Sequence, residues 1–138
     1  MTTQDNATLS KLSDTGTTVK EPADDIRGRK VKDKDGKDVG KVHDLLIDDR
    51  ERKVRFLLVE HGGFLGFGEK KSFIPVDAIT QITDDGDVFI NHTRDHVAAA
   101  PGYDPDLIND RTYHGSIYGH YGYAPYWSAG YGYPPFPG

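Results

Sequence analysis

The sequence contains no cysteine, and its last stretch, Thr112 to Gly138, has no Lys, Arg, Asp or Glu. Without cysteine the chain can form neither a disulfide nor a thiolate metal site, which fits a reducing compartment. No apolar run approaches the about 20 residues that cross a bilayer, and the first residues lack the basic and apolar regions of a secretory signal. We therefore expect a soluble, cytoplasmic protein without membrane insertion.

The balance of charge argues against a general affinity for polyanions. A formal net charge of −5 favours neither nucleic acid nor an anionic lipid surface as a partner. Seven basic residues occur between Arg27 and Lys41, but Asp33, Asp35 and Asp38 interrupt them. The adjoining strand offers no aromatic side chains on which bases could stack. Support for RNA binding from the residues themselves is therefore weak.

Composition divides the chain into four segments. Residues 1–25 are mostly polar and are predicted to be a disordered leader. Residues 26–91 carry the apolar pattern of a β domain. All eight tyrosines follow residue 102, and residues 92–127 are predicted to form short helices and an aromatic extension that docks on the β domain or on a partner. Residues 128–138, rich in Gly and Pro, are predicted to be a flexible tail.

The β domain is predicted to be a small antiparallel barrel of five or six short strands. Asp35-Gly36 and Asp85-Gly86 carry the residue types of tight hairpin turns. In the second strand the alternation of apolar residues breaks near His43, which indicates a bulge. Pro75 cannot donate a ladder hydrogen bond, so the strand that contains it is expected at an edge of the sheet or to end there.

Apolar residues occupy both faces of the third strand: Val54, Phe56 and Leu58 on one, Leu57 and Val59 on the other. A domain of about 60 residues buries only about 60% of the surface that its unfolded chain exposes, so a second apolar surface would stabilise it. The aromatic extension and a second copy of the chain are the candidates. The face that carries Leu57 and Val59 is one candidate docking surface.

Two helices are predicted in the extension. The first covers residues 93–100 and stops at Pro101, and the second begins with Asp104 as N-cap and Pro105 at its first position. Gly115 is expected to end this second helix. A helix of about ten residues is marginal in water, so it must dock to be stable.

An ordered string of residues carries a family resemblance: Gly28-x-x-Val31, Asp35-Gly36-x-x-Val39-Gly40-x-Val42-x-Asp44-Leu45-Leu46-Ile47-Asp48, Val54-x-Phe56-Leu57-Leu58-Val59 and Ile74-Pro75-Val76-x-x-Ile79. Over roughly residues 26–91 the chain resembles the PRC-barrel family. That family takes its name from the cytoplasmic domain of the photosynthetic reaction centre H subunit and includes the C-terminal domain of a ribosome maturation factor. Tyr121-Gly-Tyr123-x-Pro125-Tyr126-Trp127 is similar to the extension of stand-alone bacterial PRC-barrel proteins.

The resemblance implies an antiparallel β-barrel used for protein contacts, with no enzymatic chemistry attached to the fold. We expect a non-catalytic interaction or adaptor module, with a homodimer as one option and a partner of unknown identity as the other. An RNA- or ribosome-associated factor is the alternative, by analogy with the ribosome maturation relative. The interaction candidates lie in a loop and in the extension: Phe64, Leu65, Phe67, Tyr118, Tyr121, Tyr123, Tyr126 and Trp127. The loop residues either form an exposed tip or pack across the barrel mouth.

No catalytic, cofactor or metal site is predicted. The glycines of residues 63–68 have the spacing of a phosphate loop, but Glu69 stands where the phosphate-binding lysine would be needed. His92 and His96 are four residues apart, yet no zinc motif surrounds them. None of the serines lies in a nucleophile elbow. The sequence therefore does not favour an enzyme.

Overall fold

In the computed structural model of the protein, the residues whose structure is described are 9–11, 26–48, 53–62, 69–108, 110–129 and 131–132. They form a mainly β fold with two α-helices, and 3-10 turns cover Val76–Ala78 and Pro105–Leu107. The regular elements in chain order are β1 (Leu9–Lys11), β2 (Lys30–Lys32), β3 (Asp38–Asp48), β4 (Lys53–Gly62), β5 (Glu69–Pro75), β6 (Ile79–Ile82), β7 (Val88–Ile90), α1 (Arg94–Ala98) and α2 (Arg111–Tyr121).

The strands form one mixed sheet in the order β5-β4-β3-β2-β7-β6, with β1 also paired to β3. The β2–β7 pair is parallel, whereas the expected barrel was wholly antiparallel. Turn residues in a sequence predict pairing only between consecutive strands. Because β2 and β7 are far apart in the chain, no such signal predicts their pairing. The sheet does not close by strand pairing within the described residues. Its two edge strands are instead consecutive, because the turn Val76–Ala78 leads from β5 directly into β6.

Two bulges bend the central hairpin. Val42 pairs with Val59 and Asp44 with Leu58, so His43 is the extra residue and the predicted bulge is confirmed. A second irregularity leaves Arg55 as the extra residue of β4. Bulges redirect side chains, and this one brings Arg55 to the side of the sheet on which Phe56 and the aromatic extension lie.

The turn and edge predictions agree with the structure. Gly36 and Gly86 have φ angles of 82° and 92°, the left-handed region that glycine adopts without strain. Pro75 is the last residue of β5, which is an edge strand.

Part of the predicted disordered leader is structured. Leu9–Lys11 form β1, which pairs antiparallel with the second half of β3, and the Leu9 side chain is only 2% exposed. A single apolar residue can attach a polar segment when a neighbouring strand offers an open ladder. The other residues of segment 1–25 lie outside the described part of the chain.

The helices differ from their predicted bounds. Thr93 caps α1, which is shorter than the predicted range 93–100, and its side chain accepts a hydrogen bond from the His96 backbone. Asp104 caps only a 3-10 turn, whereas α2 begins after Asp110 and continues through Gly115 to Tyr121. The prediction that Gly115 ends the helix is wrong. Burial of one aromatic face of α2 outweighs the cost of about 1 kcal/mol of a glycine within a helix.

The extension packs against the sheet through ring contacts. The ring of Tyr118 lies 5.0 Å from Phe56 and that of Tyr113 lies 6.1 Å from Phe73, between centroids. Because successive strand residues face opposite sides, α2 covers the Phe56 side of β4 and not the face of Leu57 and Val59 suggested by the sequence. Both of these residues are nonetheless fully buried.

Candidate interaction surface

The predicted contact residues occupy three different environments. Tyr118 and Tyr121 are 0% and 4% exposed, so their side chains are buried within the fold and cannot serve as outward contacts. Tyr123, Tyr126 and Trp127 are half-buried, and we call these three the aromatic platform. Phe64, Leu65 and Phe67 lie outside the described residues.

The end of α2 determines where the platform lies. Gly122 adopts a φ of 84°, and Tyr123 N donates to the Tyr118 carbonyl at 3.0 Å. Together with the Gly122 N–H, which contacts the Gly119 and Tyr118 carbonyls, this is a Schellman motif, which turns the chain back along the helix. Trp127 then lies over Gly115, where an added Cβ would be 4.0 Å from the indole. The glycine that was predicted to end α2 therefore lies beneath the platform, at ordinary van der Waals distance from the indole.

Two arginine side chains pack against rings of the platform. The guanidinium carbon of Arg55 lies 4.3 Å from the centre of the Tyr126 ring, and that of Arg111 lies 5.0 Å from Trp127. Arg55 also contacts Asp48 at 3.3 Å, with both side chains almost fully buried. Cation–π contacts of this kind are worth about 0.5–2 kcal/mol, more when water is excluded. They hold the Tyr126 and Trp127 rings in place.

The platform segment is also attached at both ends. At its start the Tyr123 hydroxyl is hydrogen-bonded to His92 Nε2 at 3.0 Å. At its far end the Tyr131 hydroxyl donates to Asp77 at 2.8 Å, although Tyr131 falls in the range predicted to be a flexible tail. Burial raises the pKa of Asp77, and the Tyr131 hydrogen bond partly offsets that rise.

Sequence reasoning missed both arginines. Arg55 stands between Val54 and Phe56 in an otherwise apolar strand, and a charge at such a position indicates a buried partner. The sequence alone could therefore have indicated that Arg55 has a buried partner. Arg111 gave no comparable sign, because its contact with Trp127 depends on the turn after α2.

A separate groove of about 400 Å³ lies where the turn before β2 meets the β6–β7 hairpin. Its lining residues are Arg27, Gly28, Arg29, Lys30, Asp85, Gly86 and Asp87. Lys30 also stands directly opposite Lys41 in the sheet. Carboxylates and cations share this lining, so the groove gives RNA binding no specific support.

The described residues contain no group of three or more His, Cys, Asp or Glu side chains placed to hold a metal ion. His92 and His96 do lie close together, with ring centroids 5.1 Å apart, but their planes are stacked. Within the same residues, no helix has the length and apolar character needed to span a bilayer.

Comparison with known families adds one finding. A family model described as the PRC-barrel domain matches residues 19–95, more than half of the chain. No curated protein matches the sequence. The match covers β2–β7 and reaches the start of α1, so α2 and the aromatic platform lie beyond it.

Proposed function

Because the chain belongs to the PRC-barrel family, whose domain is in general a protein-interaction or adaptor module, we propose that it is a non-catalytic adaptor that binds a protein partner through the aromatic platform. The observation that supports this proposal is the platform itself: Tyr123, Tyr126 and Trp127 are partly exposed, and Tyr126 and Trp127 pack on arginines. Tyr and Trp are the residues that most often dominate binding energy at protein interfaces.

Preorganisation favours binding at this surface. A free aromatic segment would lose conformational entropy on binding, by about 0.5–1.5 kcal/mol for each side chain that becomes immobilised. Here Tyr126 and Trp127 already rest on Arg55 and Arg111, and Tyr131 is bonded to Asp77. Folding has therefore already ordered these side chains, and little further conformational entropy is lost when a partner binds.

A second copy of the chain is the partner that we favour. The chain carries a net charge of −5 but has no charged residue from Thr112 to Gly138. Two copies that approach through this segment therefore bring few like charges together. The Phe64–Phe67 loop is a second apolar segment that such an assembly could cover.

The test uses two exposed alanines that lie next to the platform rings in the sequence. Ala124 and Ala129 are both exposed, so Ala124→Glu and Ala129→Glu add a carboxylate without removing a buried contact. Gln81→Glu places the same charge on exposed β6 and is the matched control. Light scattering over a range of concentrations should show a dimer for the full chain and for Gln81→Glu, and a weaker dimer for the two alanine variants.

The partner can also be another protein, and cross-linking covers that outcome. A photo-reactive amino acid at position 124 should form an adduct in cells, with a second copy or with a different protein, whereas one at position 81 should not. The proposal fails if the full chain is monomeric and position 124 captures nothing. It also fails if Gln81→Glu weakens the dimer as strongly as Ala124→Glu does.

A further inference from the structure

Three histidine rings form a stack between the loop after β7, α1 and the C-terminal end of α2. The rings of His92 and His96 lie 5.1 Å apart with planes 12° from parallel, and those of His96 and His120 lie 4.1 Å apart at 15°. We call these residues the histidine ladder. Sequence spacing related only the first two, because the third is contributed by α2.

A reciprocal pair of hydrogen bonds joins the two helices at the ladder. His96 Nε2 donates to the His120 carbonyl at 2.8 Å, and His120 Nε2 donates to the His96 carbonyl at 2.7 Å. A carbonyl oxygen only accepts, so each ring must carry a proton on Nε2. In a neutral ring Nδ1 is then unprotonated, and it is the atom that takes up a proton in acid.

The surroundings of His92, the first ring of the ladder, disfavour positive charge. The pKa of His92 is below its ordinary value because the ring is buried, and because His96, His120 and Lys34 lie near it. The plane of the Tyr121 ring is 76° to 90° from those of the three imidazoles, at centroid distances of 4.9 to 5.5 Å.

The charged groups of the adjoining elements do not compensate. Asp33, in the turn that also carries Lys34, accepts hydrogen bonds from three backbone N–H groups, among them that of Arg94. The Asp95 and Arg94 side chains of α1 are exposed and of opposite sign. Tyr123, bonded to His92, is a neutral neighbour.

We propose that the histidine ladder is a pH-sensitive latch that fastens the end of α2 and the start of the aromatic platform to α1. When the rings are neutral they stack and the crossed hydrogen bonds hold. When acid charges adjacent rings, two cations stand face to face about 4 Å apart and repel each other. The stack opens, and Tyr121 and Tyr123 lose the rings against which they pack.

Release should stay local. The part of α2 up to Tyr118 is held separately, since His114 and Tyr118 contact Phe56 and Tyr113 contacts Phe73. The sheet and the start of the helix therefore keep their structure while residues 119–123 open. This inference does not depend on the proposed adaptor function, although the segment that opens leads into the platform.

Hydrogen exchange of the full chain tests the latch. The protection factors of the amides of residues 96–99 and 119–123, corrected for the intrinsic effect of pH on exchange, should fall about tenfold or more between about pH 7.5 and about pH 5.5. Amides of β3 and β4 should change much less. In the same sample, the ring signals of His92, His96 and His120 should titrate together with the Gly122 amide in NMR spectra.

A variant that cannot titrate provides the control. His96→Gln with His120→Gln keeps an N–H donor at each position but removes the two facing ionisable rings, so residues 96–99 and 119–123 should lose no more protection in acid than β3 and β4 do. His43→Gln alters an exposed histidine bonded to Glu60 at 3.3 Å and should leave the response unchanged. Protection that is equal at both pH values in the natural chain overturns the latch, as does the same loss in the double glutamine variant. If that variant does not fold, independent titration of the three rings in the natural chain is the overturning result.

Discussion

Replacing Tyr118 with alanine should destabilise the whole protein by about 3–5 kcal/mol, the usual cost of removing a buried aromatic ring. Tyr118 is fully buried. The centroid of its ring lies 5.0 Å from that of Phe56 in the sheet, 6.0 Å from that of Trp127 and 6.5 Å from that of Tyr126. Its ring therefore connects β4, α2 and the platform. If the extension and the sheet form one core, both must lose stability together.

The protein contains a single tryptophan, Trp127, and it lies on the platform. Its fluorescence reports on the extension, while far-UV circular dichroism reports on all secondary structure. In urea the two signals should give the same midpoint, as expected for one cooperative unit. In the Tyr118→Ala variant both midpoints should move down together.

Tyr118→Phe is the matched control. No described residue partners the Tyr118 hydroxyl, which is buried, and an unpartnered buried hydroxyl costs about 1–3 kcal/mol. Removing it while keeping the ring should leave stability unchanged or raise it by about 1 kcal/mol. A loss below about 1 kcal/mol for Tyr118→Ala, or fluorescence that changes well before the dichroism, would refute a shared core.

Three further predictions concern other parts of the molecule. Gly86→Ala should lower the free energy of unfolding in urea by about 1–3 kcal/mol, because φ is 92° and the new Cβ would meet the Arg29 guanidinium. Gly119→Ala changes a glycine on an open helix surface. In the same assay it should raise the free energy of unfolding by about 0.5–1 kcal/mol. Asp33→Ala should cost about 2–3 kcal/mol in thermal unfolding, since its carboxylate accepts three backbone hydrogen bonds, while Asp33→Asn should cost less. Burial holds the pKa of His114 below its ordinary value, so the unfolded chain binds that proton more tightly, and unfolding free energy should fall below about pH 6.5 and level off in stronger acid.

The local features of the sheet could be predicted because each depends on a few adjacent residues. The bulge at His43 follows from a break in alternation, and the turns at Gly36 and Gly86 follow from Asp-Gly pairs. The parallel pairing of β2 with β7 could not be predicted in this way. It joins segments more than 50 residues apart, and neither carries a signal that names the other.

The candidate site was harder to predict for a physical reason. Tyr118 and Trp127 look alike in the sequence, as aromatic residues among glycines, yet one is fully buried and the other half-exposed. The difference arises because α2 continues past Gly115 and places Tyr118 on its buried face. A sequence rule that ends helices at glycine leaves Tyr118 outside the helix, and Tyr118 is then predicted to be a contact residue like Trp127.

The family match and the folding unit have different bounds. The match ends at residue 95, but the buried set continues through Val97, Tyr113, His114, Ile117, Tyr118 and Tyr121. Phe56 and Phe73 belong to the matched region and are 0% exposed, and rings from beyond that region lie against them. A small β sheet needs such a cover to bury enough apolar surface, and here the chain supplies its own. The extension therefore completes the core with its buried rings, and its partly exposed rings are the ones through which we propose that a partner binds.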